Sequence, residues 1–479
     1  MHGSLLVEVP PGPYLPERRY AIGVVLGEFL GLAHRLAVAD VPHVRISRED
    51  EPDGPALTMP DGLFATPFAH WLQPESLPVT PLAWWCTPSW ISEGHEISSW
   101  LPVIFGHPES DGYVHEAEGE ARLGLDVFGS AFFMLTRYEE LVKPTRDRYG
   151  RYPATASLAY RAGFLERPIV NEYVEVLWRA MLRLWPGLQR KRRYFRLSLS
   201  HDVDLPFFTC PKQLLRVGWQ DVAHRRDPAS AIARVGAFWD ARRGRVEADP
   251  VNTFDWIMRH SEAVGVPSAF YFIADHTGGL IDGTYRLTDP PIQALIRDIH
   301  ARGHELGLHP SYHTYRDRAQ LAKEQQALMR AMETAGVEQD VWGGRQHYLR
   351  WENPVTWRHW EAIGMDYDAT LAYADRVGFR CGTCDAFPAY DLVERRQLAL
   401  VERPLMVMDI TLTVYMGLPL PQAVEKLLGI GRLCRMFRGT FALLWHNSSL
   451  MFDEQKRWYA SALTELTAPG AWVGGHKAS

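Results

Sequence analysis

Gly303-His304-Glu305-Leu306-Gly307-Leu308-His309-Pro310-Ser311-Tyr312-His313 sets two imidazoles, His309 and His313, four residues apart just after a short apolar run. Well upstream, Ser200-His201-Asp202-Val203-Asp204 carries two spaced carboxylates. Together the stretches supply three oxygen or nitrogen ligands, a spare carboxylate and an open coordination position. Metal-assisted attack by water requires these parts.

Residues 196–204 alternate apolar and polar positions, so they read as a strand whose end carries the acids. Residues two apart on a strand share a face, which puts Asp202 and Asp204 together and turns His201 and Val203 away. One carboxylate can then bind a cation while the other stays free to take a proton from the attacking water. Each piece also has a plainer reading. An Asp-x-Asp can end a strand and cap the next helix, and His309 with His313 can be a solvated helix face. The combination is much rarer than either piece.

These residues resemble the polysaccharide deacetylases that act on chitin, chito-oligosaccharides and peptidoglycan. The first motif of that family is an acidic pair at the end of the first barrel strand, and the second is His-x-x-x-His after a Gly-His-Glu-hydrophobic-Gly lead. Gly303-His304-Glu305-Leu306-Gly307 is such a lead, so the resemblance implies His309 and His313 as metal ligands, Asp204 as the third ligand and Asp202 as general base. Many members have adjacent aspartates, and this chain has the spaced Asp-Val-Asp form. The implied cofactor is one divalent ion, Zn²⁺ first, with Co²⁺, Ni²⁺ or Mn²⁺ also compatible with a His/His/Asp shell.

Further motifs follow in the family's order. Gly343-Gly344-Arg345-Gln346-His347-Tyr348 resembles the third, whose arginine orients the catalytic carboxylate, although the prolines usual after it are missing. Thr440-Phe441-Ala442-Leu443-Leu444-Trp445-His446-Asn447 resembles the fifth, an apolar strand delivering a histidine. By that likeness His446 would protonate the departing amine, and Leu443 with Trp445 would line a pocket for the acetyl methyl. A histidine ending an apolar strand can also be structural. Residues 367–383 stand in the place of the fourth motif without its usual wording; there Asp375 and Arg380 are either substrate contacts or an ion pair closing the loop. His347, Tyr348 and Trp445 complete the expected substrate contacts.

Composition bounds the rest. The chain has 479 residues, 46% of them hydrophobic, enough for two folded domains. A net charge of −6 makes no electrostatic case for nucleic acid. Residues 20–33 are the best leader or membrane candidate, but Glu28 interrupts them and Arg18, Arg19 and Arg35 flank them, as in an amphipathic helix. No transmembrane segment and a cytoplasmic location are therefore expected. Five cysteines argue against a disulfide framework. Cys381 and Cys384 form a C-x-x-C without a second pair, best read as a loop detail, and Cys86, Cys210 and Cys434 read as small buried hydrophobes.

The basic run Arg190-Lys191-Arg192-Arg193 reads as a linker between a helical pattern at 170–184 and the first catalytic strand. It divides the chain into 1–193, a separate mixed α/β domain without a chemical motif, and 194–479, a distorted (β/α) barrel. Gly129-Ser130-Ala131-Phe132-Phe133-Met134-Leu135-Thr136-Arg137-Tyr138-Glu139-Glu140, within a predicted helix at 130–141, resembles an uncharacterised domain that often precedes such deacetylases. Downstream the pattern alternates: helices at 252–264, 291–302, 316–335 and 421–437, strands at 268–274, 339–343, 365–371 and 405–414. Each candidate group follows a strand, the polarity a barrel uses for its active site. An insertion up to about Pro250 carries Arg225, Arg226, Arg242, Arg243 and Arg245, which read as solvated surface or as a clamp for a diphosphate-linked sugar.

The combined expectation is a metal-dependent hydrolase that removes N-acetyl groups from an amino sugar, in a glycan or its nucleotide- or lipid-linked precursor. Two alternatives stand beside it: another amidase reaction on the same barrel, such as opening a cyclic imide or ureide, and a carbohydrate-binding protein with a relict site.

Overall fold

The computed structural model describes residues 4–92, 97–108, 112–117, 119–207, 236, 239 and 246–468. Cys210 and the arginines of the basic insertion lie outside them. The chain begins with β1 (Leu5–Val9), β2 (His34–Val38), β3 (Val44–Arg48), β4 (Glu51–Met59), β5 (Ala83–Cys86), β6 (Trp100–Val103), β7 (Val114–Ala117) and β8 (Glu120–Leu123). Six of these form a mixed sheet in the order β2-β1-β3-β4-β8-β7, and β5 pairs with β6 apart from it. The expected helix at 130–141 is two helices, Val127–Leu135 and Tyr138–Val142, broken at Arg137, whose φ is 53°. Asp126 caps the first by accepting the Gly129 N–H at 2.7 Å.

The second sheet contains β9 (Arg196–Val203), β10 (Ser268–Ile273), β11 (Glu305–His309), β12 (Gly343–Gly344), β13 (Tyr367–Asp368), β14 (Phe387–Asp391), β15 (Arg396–Glu402), β16 (Val407–Met408) and β17 (Thr440–Leu444). Its order is β14-β15-β13-β12-β11-β10-β9-β17-β16, and every neighbouring pair is parallel except the β14/β15 hairpin. Helices Phe254–Ala263, Pro290–Ala301, Arg318–Ala335 and Val355–Ala362 make the crossovers from β9 to β13. Among the described residues no ladder joins β15 to β16, so the hydrogen bonding leaves the sheet open.

Three expected strands shrink: 339–343 to Gly343–Gly344, 365–371 to Tyr367–Asp368 and 405–414 to Val407–Met408. Gly343 and Gly344 alone make β12, because a Cβ on Gly344 would stand 1.8 Å from the Leu308 carbonyl oxygen and one on Gly343 2.4 Å from the Tyr367 ring. That close approach lets Arg345 N–H reach Leu308 O at 3.0 Å and fixes where the next side chains point. Within 405–414 only Val407–Met408 is strand, and Thr411–Tyr415 turns helical.

The two halves of the chain share one apolar core. Tyr20 and Phe132 from the first half pack on Tyr390 from the second, with ring centroids 4.7 and 5.2 Å away. Buried charge joins them too: Arg380 grips Glu140 with two hydrogen bonds of 2.9 and 2.6 Å, and Arg137 reaches Glu140 at 2.9 Å and the Tyr373 hydroxyl at 3.1 Å. Residues 188–195 are irregular chain between helix Ile169–Leu184 and β9. Cys381, Cys384 and Cys434 are buried free thiols, whereas Cys86, expected inside, is exposed.

Candidate active site

Five strands of the second sheet deliver the polar groups at their C-terminal ends. β9 brings Ser200, Asp202 and Asp204 to one face, as strand parity requires. His201 faces the other way, with Nδ1 2.6 Å from the Trp445 carbonyl and Nε2 3.2 Å from Ser268 Oγ. Arg345, following β12, binds Asp202 Oδ1 at 2.7 Å, Ser200 Oγ at 3.0 Å and the Ala369 carbonyl at 2.9 Å. Both Arg345 and Asp202 are buried, so this charge-assisted bond fixes the carboxylate's orientation.

Asp204 lies at the centre. Its Oδ1 is 3.2 Å from His309 Nε2 and 3.6 Å from His347 Nε2, and its Oδ2 is 3.7 Å from His446 Nε2. In each imidazole the other nitrogen faces an acceptor: His309 Nδ1 the Arg345 carbonyl at 2.6 Å, His347 Nδ1 Asp282 Oδ1 at 2.7 Å, His446 Nδ1 Asp409 Oδ1 at 2.7 Å. A carbonyl or carboxylate oxygen accepts, so Nδ1 carries a proton, and in its neutral form each ring turns an Nε2 lone pair toward Asp204. Asp204 Oδ1 is correspondingly a buried oxygen without a hydrogen-bond partner. Lone pairs facing lone pairs at these distances call for a positive charge between them.

Protonation describes the same need. Burial would raise the Asp204 carboxyl, yet the imidazoles of His347 and His309 hold it well below the usual range. Burial would lower His347, but Asp204 and Asp282 lift it to about 9. His446 follows suit: Asp409 first, then Asp204 and Asp202, raise it to about 10 against its burial. A proton or a cation can satisfy the group, and Asp204, His309 and His347 offer ligand atoms all within 4.8 Å of one another. The donor set, two imidazole nitrogens with fixed tautomers and one carboxylate oxygen, fits a divalent metal.

His313 is not brought into this group. β11 ends at His309, and the chain after Pro310 runs through a turn into a short 3-10 segment, Thr314–Arg316, so no α-helix places residues four apart on one face. His313 is exposed, and its backbone N–H donates to Thr277 Oγ1 at 3.0 Å. His347 stands with His309 instead. Trp445 also lies elsewhere: its ring packs 5.2 Å from Tyr459 in the core, since parity puts Leu443 and Trp445 opposite His446. Leu444 shares the His446 side, with Ala372, Ala374 and Met408. Asp375 and Arg380 do not pair with each other. Asp375 accepts the Ala154 N–H at 3.0 Å, and Arg380 is consumed by Glu140, so both tie the halves together. Tyr348 is half-buried, its ring 4.9 Å from that of His347.

Sequence reasoning missed Asp282 and Asp409, and read His347 as a substrate contact. Asp409 follows the short strand β16, so the rule that groups sit after strands would have found it. Asp282 sits in a short 3-10 segment, Gly279–Asp282, and has no comparable signal.

Residues 6–186 match DUF7033, a family of unknown function. No curated protein matches the chain. Among solved structures, a protein from Mycobacterium smegmatis provisionally described as a polysaccharide deacetylase is similar at 16% identity and a TM-score of 0.38, over 60% of this chain and 88% of that one. The Puue allantoinase is similar at 13% identity and a TM-score of 0.35, over 58% and 85%. Among the described residues no helix is long and apolar enough to cross a membrane.

Proposed function

We propose that this chain is a metal-dependent amide hydrolase that removes N-acetyl groups from an amino sugar, in a glycan or its nucleotide- or lipid-linked precursor. The carrying observation is the orphaned Asp204 oxygen facing imidazoles whose Nδ1 protons are already committed, beside an Asp202 held by Arg345. A relict site would have no reason to keep that pattern. We read residues 194–479 as a distorted (β/α) barrel with an unpaired seam between β15 and β16, and 1–193 as a unit packed against it.

Asp204, His309 and His347 would hold the ion, with zinc suited to the set and cobalt, nickel or manganese compatible. When bound, it supplies Lewis acidity toward water and the amide carbonyl. Asp202 takes a proton from the attacking water, and Arg345 keeps that carboxylate aimed. As the C–N bond breaks, His446 gives the Nε2 proton to the amine nitrogen, and Asp409 stabilises the imidazolium until then.

The test is acetate release from polymeric, nucleotide-linked and lipid-linked N-acetyl amino sugars, with metal-loaded and chelator-treated protein. Release from at least one class, lost on chelation, is expected. Silence across all three classes, or release that survives metal removal, overturns the reading. His446→Ala should further slow amide cleavage far more than cleavage of an ester with a low-pKa leaving group.

A further inference from the structure

The end of the second sheet opposite the catalytic group meets the segment that joins the two halves. Arg196 opens β9, and its N–H donates to the Gly439 carbonyl at 3.0 Å just before β17 begins. β9 is 8 residues long, so Arg196 lies about 25 Å along the strand from Asp204. Two adjoining cavities of about 240 and 340 Å³ open here and share Lys191, Arg192, Arg193, Tyr194 and Arg438 as walls. Phe29 and Glu175 line them from the first half, Phe437 and Thr440 from the second.

Charge in this recess is out of balance. Among the described residues, six cationic side chains line it, Arg190, Arg196 and Arg438 with Lys191, Arg192 and Arg193, against three carboxylates, Glu28, Glu175 and Asp385. Three of the cations are engaged: Arg190 binds Glu175 at 2.5 Å, Arg193 pairs with Asp385, and Lys191 donates to the Glu28 carbonyl. Arg192 and Arg196 have no side-chain partner among the described residues. In a chain of net charge −6 this local excess stands out.

The cations also press on one another. Desolvation lowers the Lys191 pKa, and Arg193 lowers it further against Glu28. Desolvation lowers Arg193 as well; Cys384 and Glu175 oppose this, while Arg190 and Arg438 reinforce it. An anion relieves such crowding. Arg438 adds a backbone signal, for it holds φ 53° just past helix Leu420–Met436, in the left-handed position that glycine usually takes. Keeping an arginine there costs backbone energy that glycine would spare. A basic run is most simply solvated surface, but solvated surface does not gather its cations in a recess between two halves of a chain.

We propose that this recess is a second binding site, separate from the catalytic group, for a ligand carrying a phosphate monoester or diphosphate, gripped by Arg192, Arg196 and Arg438. Guanidinium forks match phosphate oxygens, and an excess of several positive charges calls for more than one negative charge in return. The phosphate belongs either to a soluble ester or to a lipid headgroup. Bound there, it touches both halves and the segment between them, so it stabilises the chain as a whole. The site stands whether or not the chain is a deacetylase.

The first probe is inorganic pyrophosphate, titrated calorimetrically into the full chain, with acetate for comparison. Wild type should bind pyrophosphate in preference to acetate, unfold at a higher temperature with it, and bind it less tightly as salt is added. Arg192→Gln and Arg196→Gln should each weaken binding about tenfold, whereas Arg318→Gln, at an exposed arginine outside the recess, should not. Asp204→Asn should keep the binding, which separates this site from the metal group. Pyrophosphate held as tightly by a folded Arg192→Gln/Arg196→Gln variant as by wild type, lost with folded Asp204→Asn, or matched by acetate overturns the site. The second probe is sedimentation with phosphatidylcholine vesicles, with and without phosphatidic acid. Capture by the phosphatidic acid vesicles, or binding of pyrophosphate, sustains the site if Arg192→Gln weakens it, and the probe that responds names the source as headgroup or soluble ester. Neither response in folded wild type removes the site.

Discussion

His446 Nδ1 lies 2.7 Å from Asp409 Oδ1, while its Nε2 points at Asp204 Oδ2 from 3.7 Å. The imidazole thus takes its orientation from one carboxylate and its proton affinity from several. Burial alone would lower its pKa, but Asp409, Asp204 and Asp202 raise it to about 10. A raised histidine contributes its stability in full below the unfolded value of about 6.5 and loses it as pH climbs through the folded value. In metal-free protein, Asp409→Asn should move the His446 titration, followed by imidazole NMR, to lower pH, and shrink the stability difference between pH 6 and 10. A titration that stays near 10 in the folded variant would remove Asp409 from this role.

Metal binding should release protons. His347 titrates at about 9 because Asp204 and Asp282 outweigh its burial, so in the metal-free protein near pH 7 it carries a proton that an incoming cation must displace. Zinc affinity should therefore rise about tenfold per pH unit below that value and flatten above it. Calorimetry in buffers of different ionisation enthalpy checks this directly. Affinity flat between pH 6 and 8 would contradict it.

The two histidines after β11 and β12 make opposite forecasts to a family-style assignment. His347→Ala should lose most bound metal and activity, because its Nε2 faces Asp204, whereas His313→Ala should keep its metal, because that side chain is exposed. Elemental analysis of both folded variants decides between them, and metal lost from His313→Ala but not from His347→Ala would restore the spaced pair as ligands.

The sequence carried the sheet's strands well where the pattern was long and local, as in the alternation of β9, the apolar run of β10 and the crossover helices. It failed where geometry depends on partners. β12 exists because two glycines let backbones approach, and the β14/β15 hairpin lies in a stretch without a clear turn signal. The family resemblance of the His-x-x-x-His spacing implied His309 and His313 as a ligand pair, but Pro310 and the turn after it leave His313 exposed and outside the group. Parity was the better guide: it placed Asp202 with Asp204, and applied to β17 it would have set Leu444 rather than Trp445 beside His446. The contacts between halves, such as Arg380 with Glu140, span more than two hundred residues and leave no local pattern.

Asp202→Asn keeps the shape of the side chain and removes the base, so metal content should hold while turnover falls on the order of 10²-fold or more. Arg345 would then lose its charged partner at 2.7 Å, so stability should be measured alongside. If the variant loses metal and Asp204→Asn does not, the two aspartates have exchanged roles. Full turnover in Asp202→Asn would exclude it as base.

Glu140 offers the sharpest test that the halves fold as one. Burial alone would raise its carboxyl, but Arg380 and Arg137 hold it below the ordinary range, with all three side chains almost fully enclosed. A depressed carboxyl contributes stability above its unfolded pKa, about 4.3, and loses it as pH falls below. Glu140→Gln should therefore cost about 3–5 kcal/mol near neutral pH, because it strands the buried Arg380 guanidinium and takes from Arg137 one of its two carboxylates, Glu139 remaining at 3.3 Å, and should narrow the gap in stability between pH 7 and 4. Since Glu140 belongs to the first half and Arg380 to the second, the loss should appear in a single unfolding transition. Two separated transitions in the wild type, with only one of them shifted by the substitution, would mean that the halves unfold independently and that this contact does not couple them.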